Sequence, residues 1–545
     1  MHIKQLVSHW LRFGLGLSLI GLWSCTSQFV NVGRREPAKK VFRVVTQSNL
    51  STLHPSQLNS YTETILGLQI HEPLLYVVPE TGKIVPLAAE SYRQNFDEKS
   101  ITFKLRSNLK WSNGQEITAD DYVYAISYIL NKNNKSPHIA KLIHIKGAQK
   151  LIEGEILSPN ELGVKSLGKK IFKIEFEHFD LRTVMLFARP WTSPLRKINT
   201  MGSLQDQQDF SSWVGSGMFV PVRKNEQVIL LRKNPYHRWA SKIEVDEISV
   251  FYNKNLEQIE KTGPQQVHLL GHRGFSIDFD EYKMSFVQQG YKYVYEPDLL
   301  TMFLRLNNKQ EILKDVAIRR AIAMSINRDF IKQSLHFNSY QAAYSMMPKN
   351  VLGYQPPSGF SYSKTRAMEE LESLGYCVEQ GRNNCKQLGE LQFIYVDTPR
   401  NEKIALAMQQ LFLNALPFKR VILKAEKQSE FDQKIVKGDF DMALDTVGAL
   451  PDNAFGILEA FLPSRASAGS FYHIGFEKTL NKAFEHAYWS QVLQGIRQAE
   501  GVLLDSVELV PIFHIVTGRV MSNKLLGFKP NVFSEQVYST INIKE

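Results

Sequence analysis

Cysteine is scarce in this sequence of 545 residues, which contains only three. That number excludes the disulfide-rich scaffolds of small secreted domains, whose chains are much denser in cysteine. The hydrophobic run near the start, residues 13–23, is also short. It is about half as long as the roughly 20 residues that a membrane-spanning helix needs. We therefore expect a folded, soluble body.

Motifs of the common enzyme classes are absent as well. Gly215 and Gly217 begin like a dinucleotide-binding loop, but Val220 stands where the third glycine belongs, and no Gly-Lys-Ser/Thr occurs. His71-Glu72 lacks the second histidine of a zinc-protease motif, and residues 274–276 lack the final glycine of a nucleophile elbow. We expect no cofactor, no metal and no enzyme activity, although catalytic groups from distant segments could still meet in the fold.

The basic residues are not concentrated anywhere. The formal net charge is +11, yet no dense basic run occurs. A nucleic-acid partner is therefore not expected, and a basic surface near anionic lipid fits better. Hydrophobic residues make up 43% and charged residues 22%, which is typical of a globular chain. The length predicts two or three domains.

The first 40 residues predict export and anchoring. Basic residues precede the short apolar stretch, which ends at Trp23, and Cys25 follows closely. This order is typical of a signal peptide, and the cysteine resembles that of a lipobox, where the thiol is acylated. Trp23 is bulky for a lipobox, so plain secretion and an uncleaved anchor stay open. We expect a signal peptide over residues 1–24, a lipid on Cys25 and a tether over residues 25–40.

The two other cysteines, Cys377 and Cys385, lie close together in the chain. Gly381 and two asparagines between them permit a tight reversal. In an oxidising compartment we expect these cysteines to form a disulfide, which would add roughly 2.5 kcal/mol to the stability. A zinc site is not expected, because two further ligands are missing nearby. Free thiols remain the alternative.

Strand and helix signals are interspersed along the chain. Apolar residues occupy every second position in residues 100–106, which predicts a half-buried strand. Thr118 and Asp121 form a capping-box pattern and predict a helix through Leu130. Further strands are predicted from Val41 and near 228–232 and 248–252, and helices near 316–335, 363–374 and 404–416. No repeat is present, so the fold class is α/β or α+β.

Several blocks in a fixed order resemble the oligopeptide-binding proteins of ABC importers, within solute-binding protein family 5. The most characteristic is Lys-Trp-Ser-Asn-Gly at 110–114, followed by Ile-Thr-Ala-Asp-Asp at 117–121. The resemblance covers roughly residues 41–528. It implies that Gly215 and Gly217 have a structural role in the segment that leads into a strand. The remaining blocks lie at 136–137, 162–165, 215–219, 231–236, 304–308, 316–330, 438–441 and 510–513.

The resemblance implies an α/β, two-lobed periplasmic binding protein fold of type II with an extra small domain. A solute would sit in the cleft between the lobes, and hinge closure would bury it for an ABC permease. We expect a monomer. The implied domains are lobe I (41–71, 197–299 and 510–545), the extra domain (72–196) and lobe II (300–509).

The residues that hold peptide ends in the family are largely replaced here. In a gapless alignment the amine-binding aspartate falls on Leu450, a carboxylate-binding arginine on Leu444 and a pocket tryptophan on Val447. A buried ammonium without a counter-charge costs several kcal/mol, so we expect the usual clamp to be dismantled. Arg305 lies where a glutamate is expected and His138 where a tyrosine is expected, which predicts a more cationic cleft.

Other residues belong to the same predicted site. Asn59 and Phe303 are expected to line the cleft, and Asp445 or Asp452 would meet the ammonium if the alignment is shifted by a few residues. Two positions that carry a disulfide in some relatives are Leu300 and Gly448 here. Their joint replacement supports the unshifted alignment.

The leading hypothesis is a lipoprotein of the periplasmic space or cell surface that captures peptides or a peptide-like solute, such as a cell-wall peptide. The alternative is an interaction or scaffold lipoprotein that kept the fold and lost transport. A dismantled clamp is compatible with both hypotheses.

Overall fold

The protein is described by a computed structural model, in which residues 39–545 form one compact unit. The described residues are 39–46, 49–78, 80–155, 161–179, 182–197, 209–252, 266–270, 285–336, 340–349, 351–377, 386–449, 453–463, 465, 473–486, 488–529 and 535–544. Cys25, Cys385, Leu450 and Asp452 lie outside these ranges.

Strands and helices alternate along the chain. The strands are β1 (Val41–Val45), β2 (Leu75–Val77), β3 (Ile84–Pro86), β4 (Ala89–Asn95), β5 (Ser100–Leu105), β6 (Val164–Gly168), β7 (Ile171–Glu175), β8 (Phe219–Lys224), β9 (Val228–Lys233), β10 (Glu247–Phe251), β11 (Leu269–Leu270), β12 (Tyr291–Leu306), β13 (Tyr340–Ala342), β14 (Leu388–Val396), β15 (Phe418–Glu426), β16 (Met442–Gly448), β17 (Leu509–Ser522), β18 (Leu525–Leu526) and β19 (Asn542–Ile543). The α-helices are α1 (Tyr61–Ile70), α2 (Ala119–Leu130), α3 (Ala148–Glu153), α4 (Arg182–Leu186), α5 (Val316–Ser325), α6 (Arg328–Ser334), α7 (Lys364–Glu372), α8 (Pro399–Ala415), α9 (Gln428–Lys437), α10 (Gly456–Glu459), α11 (Ile474–Phe484) and α12 (Trp489–Asp505).

A large mixed sheet forms the centre of the molecule. Its strand order is β15-β14-β16-β12-β17-β11-β1-β10-β9-β8, and β13 also pairs with β17. The long antiparallel strands β12 and β17 pair from Tyr291 opposite Ser522 to Arg305 opposite Leu509, with a register break between Pro297 and Thr301. These two strands therefore join the two ends of the sheet.

A smaller antiparallel sheet, β4-β5-β7-β6, confirms the predicted alternation. Ile101, Phe103 and Leu105 of β5 are buried, as expected for one face of a half-buried strand. Thr118 caps helix α2 as predicted, and the Asp121 carboxylate accepts a hydrogen bond from the Thr118 backbone N–H at 2.8 Å.

The predicted helix over 316–335 is wrong in one respect, because two helices occupy the segment. Helix α5 ends at Ser325, and Ile326 has extended backbone angles. Asn327 then caps helix α6, its side chain accepting a hydrogen bond from the Phe330 N–H at 3.0 Å. Asparagine favours such caps over helix interiors, which explains the break.

The paired glycines serve packing, as the resemblance implied. A Cβ atom on Gly217 would lie 2.3 Å from the Gln69 carbonyl oxygen, and one on Gly215 would lie 2.6 Å from that of Ile70. The Gly217 N–H instead donates to the Ile70 carbonyl at 2.8 Å. The segment that leads into β8 thus fits closely against the end of helix α1, where a side chain would collide with backbone.

Buried apolar side chains form separate clusters. One surrounds β1, β8, β9, β10 and α1, and a second surrounds β14, β15, β16, α5 and α8. A third joins the small sheet to Phe303, Val447 and the helices α11 and α12. Within the described ranges, no helix is both long enough and apolar enough to cross a bilayer.

Candidate functional site

A cavity of about 460 Å³ lies where three parts of the chain meet. This volume is within the range of roughly 300 to 1,000 Å³ that is usual for small-molecule sites. The lining residues are Leu58, Asn59, Ser60, Tyr61, Thr64, His138, Lys141, Arg189, Trp191, Leu300, Gly448, Ala449 and Glu535.

The start of helix α1 forms the first wall. Ser60 caps the helix, and the Glu63 carboxylate accepts hydrogen bonds from the backbone N–H groups of Asn59 and Ser60, both at 2.8 Å. Burial opposes ionisation of Glu63, but bonds from Ser51, Asn59 and Ser60 outweigh it and lower the pKa of Glu63. The charged carboxylate therefore holds the backbone that presents Asn59 to the cavity.

His138 and Trp191 form an aromatic second wall. Their rings stack with centroids 4.4 Å apart at an interplanar angle of 8°. The His138 Nε2 atom lies 2.7 Å from the Leu58 carbonyl oxygen, which assigns the ring proton to Nε2. The Lys141 Nζ atom lies 3.4 Å from His138 Nδ1 and 5.6 Å from the Trp191 ring centroid. This wall is therefore aromatic and cationic together.

Arg189 and Glu535 form a buried ion pair beside Trp191. The guanidinium donates from Nη1 to Glu535 Oε2 at 2.7 Å and from Nη2 to Oε1. The two side chains are only 6% and 7% exposed. A two-bond contact of this kind fixes both groups in position, and both line the cavity.

The third wall comes from the ends of β12 and β16 and carries no charge. Leu300 lies directly opposite Gly448 in the strand register, and the Ala449 N–H donates to the Leu299 carbonyl at 2.9 Å. Opposed residues on antiparallel strands are close enough for a disulfide. The structure thus pairs Leu300 with Gly448, the two positions for which the resemblance implied a disulfide in some relatives.

Arg305, which was expected to make the cleft more cationic, forms an ion pair with Asp445. Its Nε atom donates to Asp445 Oδ2 at 2.7 Å, across the pair of strands β12 and β16. The guanidinium also lies 5.1 Å from the Phe303 ring and 5.5 Å from the Phe461 ring. The Asp445 carboxylate therefore balances the charge of Arg305, and a role of either residue in ligand binding stays a prediction.

The other predicted site residues divide between the cavity and the core. Asn59 and His138 line the cavity, and their role in ligand binding stays a prediction. Phe303 is fully buried, and Leu444 and Val447 are 2% and 8% exposed; these three belong to hydrophobic clusters. Large apolar residues at 444 and 447 thus stabilise the strand layer instead of presenting polar groups.

Two predictions touch residues outside the described ranges. Cys377 is disulfide-bonded, but its expected partner Cys385 lies outside them, so the pairing stays a prediction. Leu450 and Asp452 also lie outside the described residues, as does Cys25. Across the part of the chain that is described, no group of three or more potential ligands could hold a metal ion.

Sequence reasoning missed Lys141, Arg189, Trp191 and Glu535. Arg189 and Glu535 are 346 positions apart, and no local pattern connects them. The only available signal was that Lys141 and Trp191 lie in the predicted extra domain, residues 72–196. His138, which the resemblance had already placed in the cleft, belongs to the same predicted domain. Charged residues with no catalytic spacing look the same in sequence as an ordinary solvated surface.

Comparison with known proteins places the chain in a wider group. The profile of the bacterial extracellular solute-binding proteins, family 5 Middle, matches residues 83–469. The oligopeptide-binding protein OppA of Bacillus subtilis (strain 168) is 23% identical over 545 residues, covering 96% of each chain. The periplasmic murein peptide-binding protein MppA of Escherichia coli (strain K12) is 24% identical over 477 residues, covering 84% of this chain and 85% of MppA.

The fold agrees with these relationships. The unliganded open form of the periplasmic murein tripeptide binding protein MppA has a TM-score of 0.80, at 21% identity, covering 93% of this chain and 98% of that chain. The predicted α/β fold of type II is thereby confirmed. The family consists of extracellular binding proteins, not enzymes, and its profile covers well over half of the sequence. The chain therefore belongs to the bacterial extracellular solute-binding proteins of family 5.

Proposed function

We propose that this protein captures a peptide or peptide-like solute outside the cytoplasm and delivers it to an ABC permease. The observation that carries the proposal is the cavity itself, which is lined by Asn59 on one side, His138 on the second and Leu300 on the third. A ligand in this position touches separate parts of the chain at once. Binding would therefore favour the arrangement that brings those parts together.

The hinge of the proposed closure lies in β12 and β17. These strands join the two ends of the sheet, and their register breaks between Pro297 and Thr301. An irregular strand segment absorbs a bend more easily than a regular ladder does. The break coincides with the boundary at residues 299 and 300 between the proposed lobes I and II, which supports that division.

Peptides are the proposed cargo because the relatives are named for peptide binding. OppA of Bacillus subtilis is named for oligopeptides and MppA of Escherichia coli for murein peptides. The cavity of about 460 Å³ suits a short peptide better than a long one. A cell-wall peptide is a specific candidate within this class.

Native mass spectrometry of the protein purified from its producing cells tests the cargo. We expect retained peptide masses that disappear after unfolding and refolding. The stripped protein should then gain thermal stability with the recovered peptides, because a ligand that binds only the native state raises the free energy of unfolding. The protein could instead be purified without peptide, and its thermal stability and scattering profile could stay unchanged when peptides are added. That result would favour the scaffold lipoprotein.

Membrane anchoring through Cys25 is a separate part of the proposal. Its support is the short apolar stretch before the cysteine and the family's extracellular setting. The Cys25→Ser variant should move from the membrane fraction to the soluble fraction and keep its ligand affinity. Equal membrane association of the variant and the parent would rule out lipid attachment at this position.

A further inference from the structure

A second cavity lies in another part of the molecule. Its volume is about 810 Å³, which is also within the range usual for small-molecule sites. One part of its lining comes from the segment 83–96, which contains strands β3 and β4, and another from Leu352, Gly353 and the start of helix α12. The two cavities have no described lining residue in common, so the second cavity can be considered as a site of its own.

Aromatic side chains line the second cavity, and neighbouring residues hold them in place. Trp489 donates its indole N–H to the Leu352 carbonyl at 3.1 Å, and its ring lies 6.0 Å from that of Phe455. On the other side, the Tyr92 ring lies 6.0 Å from that of the buried Phe103. Because these contacts already orient the rings, a flat apolar ligand would pack on them with little further loss of side-chain freedom.

The charges that line the second cavity have one sign. Lys83 and Arg93 are cationic, and no carboxylate is among the described lining residues. Within the described ranges, neither of these two side chains forms an ion pair or a hydrogen bond, and the Glu98 carboxylate near Arg93 pairs with Lys173 at 2.8 Å instead. Both cations are exposed, so their attraction for an anion should depend on salt.

We infer that the second cavity binds a small anion that carries an apolar ring, such as an aromatic carboxylate. The ring would pack on Tyr92 and Trp489, and the acidic group would meet Lys83 and Arg93. Charge complementarity selects this class, because a cationic ligand would be repelled and a neutral one would gain nothing from the two cations. The inference goes beyond peptide capture and does not depend on it.

The test compares naphthoate with naphthamide, which have the same rings and differ in charge. Calorimetric titration measures the affinity of the unmodified protein for each probe. We expect naphthoate to bind at least fivefold more tightly in low salt. The difference should fall to within twofold in 1 M salt, where charges are screened within about 3 Å. Equal affinities in low salt, or no binding of either probe at millimolar concentration, would overturn the inference.

Substitutions at the exposed cations assign the preference to this cavity. The double variant Lys83→Gln with Arg93→Gln should bind the two probes within twofold of each other. The matched control is the double variant Lys110→Gln with Lys150→Gln, which removes two exposed charges of the predicted extra domain that line neither cavity. The control should keep the full preference for naphthoate.

A third variant tests the apolar part of the site. Tyr488 lines the second cavity and is 70% exposed, so Tyr488→Ser should leave the fold intact. We expect it to weaken both probes about threefold and to keep their ratio, because it removes ring contact and no charge. Unchanged affinities for both probes would contradict packing of the ring at this place.

Two further outcomes would overturn the inference. A preference for naphthoate that survives in the folded Lys83 and Arg93 double variant would place the anion elsewhere, and its loss in Lys141→Gln would assign it to the first cavity. Loss of the preference in the control variant would show that only the total charge of the protein matters. Peptide binding is measured separately, so a failure of peptide capture would leave these results unchanged.

Discussion

Two arginine–carboxylate pairs near the cavity have the same chemistry and opposite positions. Arg305 and Asp445 join neighbouring strands behind the uncharged wall, whereas Arg189 and Glu535 stand in the cavity wall. Their arginine side chains are equally buried, at 6% exposure each. The difference lies in what the pairs face: one faces aromatic rings of the core, the other a space that a ligand can fill.

The two ion pairs therefore differ in their positions relative to the cavity. The pair that the sequence singled out, through Arg305, holds strands together. The pair that the sequence did not reveal lines the cavity. A charged residue at a family's binding position can therefore be structural when a neighbouring strand supplies its partner.

The largest effect should come from breaking the strand pair. Asp445→Asn removes the carboxylate charge that pairs with the buried Arg305 guanidinium, which we expect to lower the free energy of unfolding by about 3 kcal/mol. Peptide affinity should change less than twofold, because neither residue lines the cavity. Urea unfolding measures the first quantity and calorimetric titration the second.

The control for this variant is an exposed ion pair. Glu90→Gln removes the partner of Lys104, and both side chains are about half exposed. Exposed pairs are screened by water, so no measurable loss of stability is expected. If Asp445→Asn loses more free energy of binding than free energy of unfolding, Arg305 takes part in ligand binding. The contrast between the two ion pairs would then be wrong.

A carboxylate that is hydrogen-bonded to neutral groups sharpens the contrast and should have a smaller effect. Glu500 is fully buried and accepts bonds from the Met346 and Met347 N–H groups at 2.6 and 2.9 Å and from the Tyr354 hydroxyl. Burial raises the pKa of Glu500 to about 7, against the lowering effect of these bonds. Glu500 thus holds a proton in the folded state that it has lost in the unfolded state at the same pH.

The sign of the resulting pH dependence follows from that proton. Between the ordinary pKa near 4.5 and about 7 the native state binds more protons, so the free energy of unfolding falls as pH rises. Glu500 should contribute a fall of about 2 kcal/mol between pH 5 and pH 7. Glu500→Gln should remove this component, measured by urea unfolding of both proteins at each pH. Parallel profiles for parent and variant would contradict the assignment.

Local patterns predicted much of the fold because their causes are local. The alternation in Ser100–Leu105 and the capping box at Thr118 each depend on residues a few positions apart. The break between α5 and α6 was missed because the apolar pattern of a helix continues across Asn327. The Asn327 side chain instead caps the start of a new helix, α6. The family was predicted from motifs in a fixed order, such as residues 110–114 and 117–121, and not from hydrophobic periodicity.

The candidate site was predicted only where the resemblance supplied positions. His138 and Asn59 line the cavity, and their role in ligand binding stays a prediction. The partner of Arg305 lies 140 positions away and that of Arg189 lies 346 positions away. Pairings at such distances depend on how the sheet is assembled. No local property of the residues encodes them, so the charge balance of the cavity emerged only from the structure.

The smallest expected effect concerns Lys141, the cation beside His138 and Trp191. Because Lys141 is half-buried at the cavity wall, Lys141→Gln should weaken binding of peptides with a free carboxylate about threefold in low salt and scarcely at all in 1 M salt, where charges are screened within about 3 Å. C-terminally amidated peptides should bind parent and variant alike. If amidated peptides lose as much affinity as free acids, Lys141 acts by packing on Trp191, and the cationic character of this wall has no part in recognition.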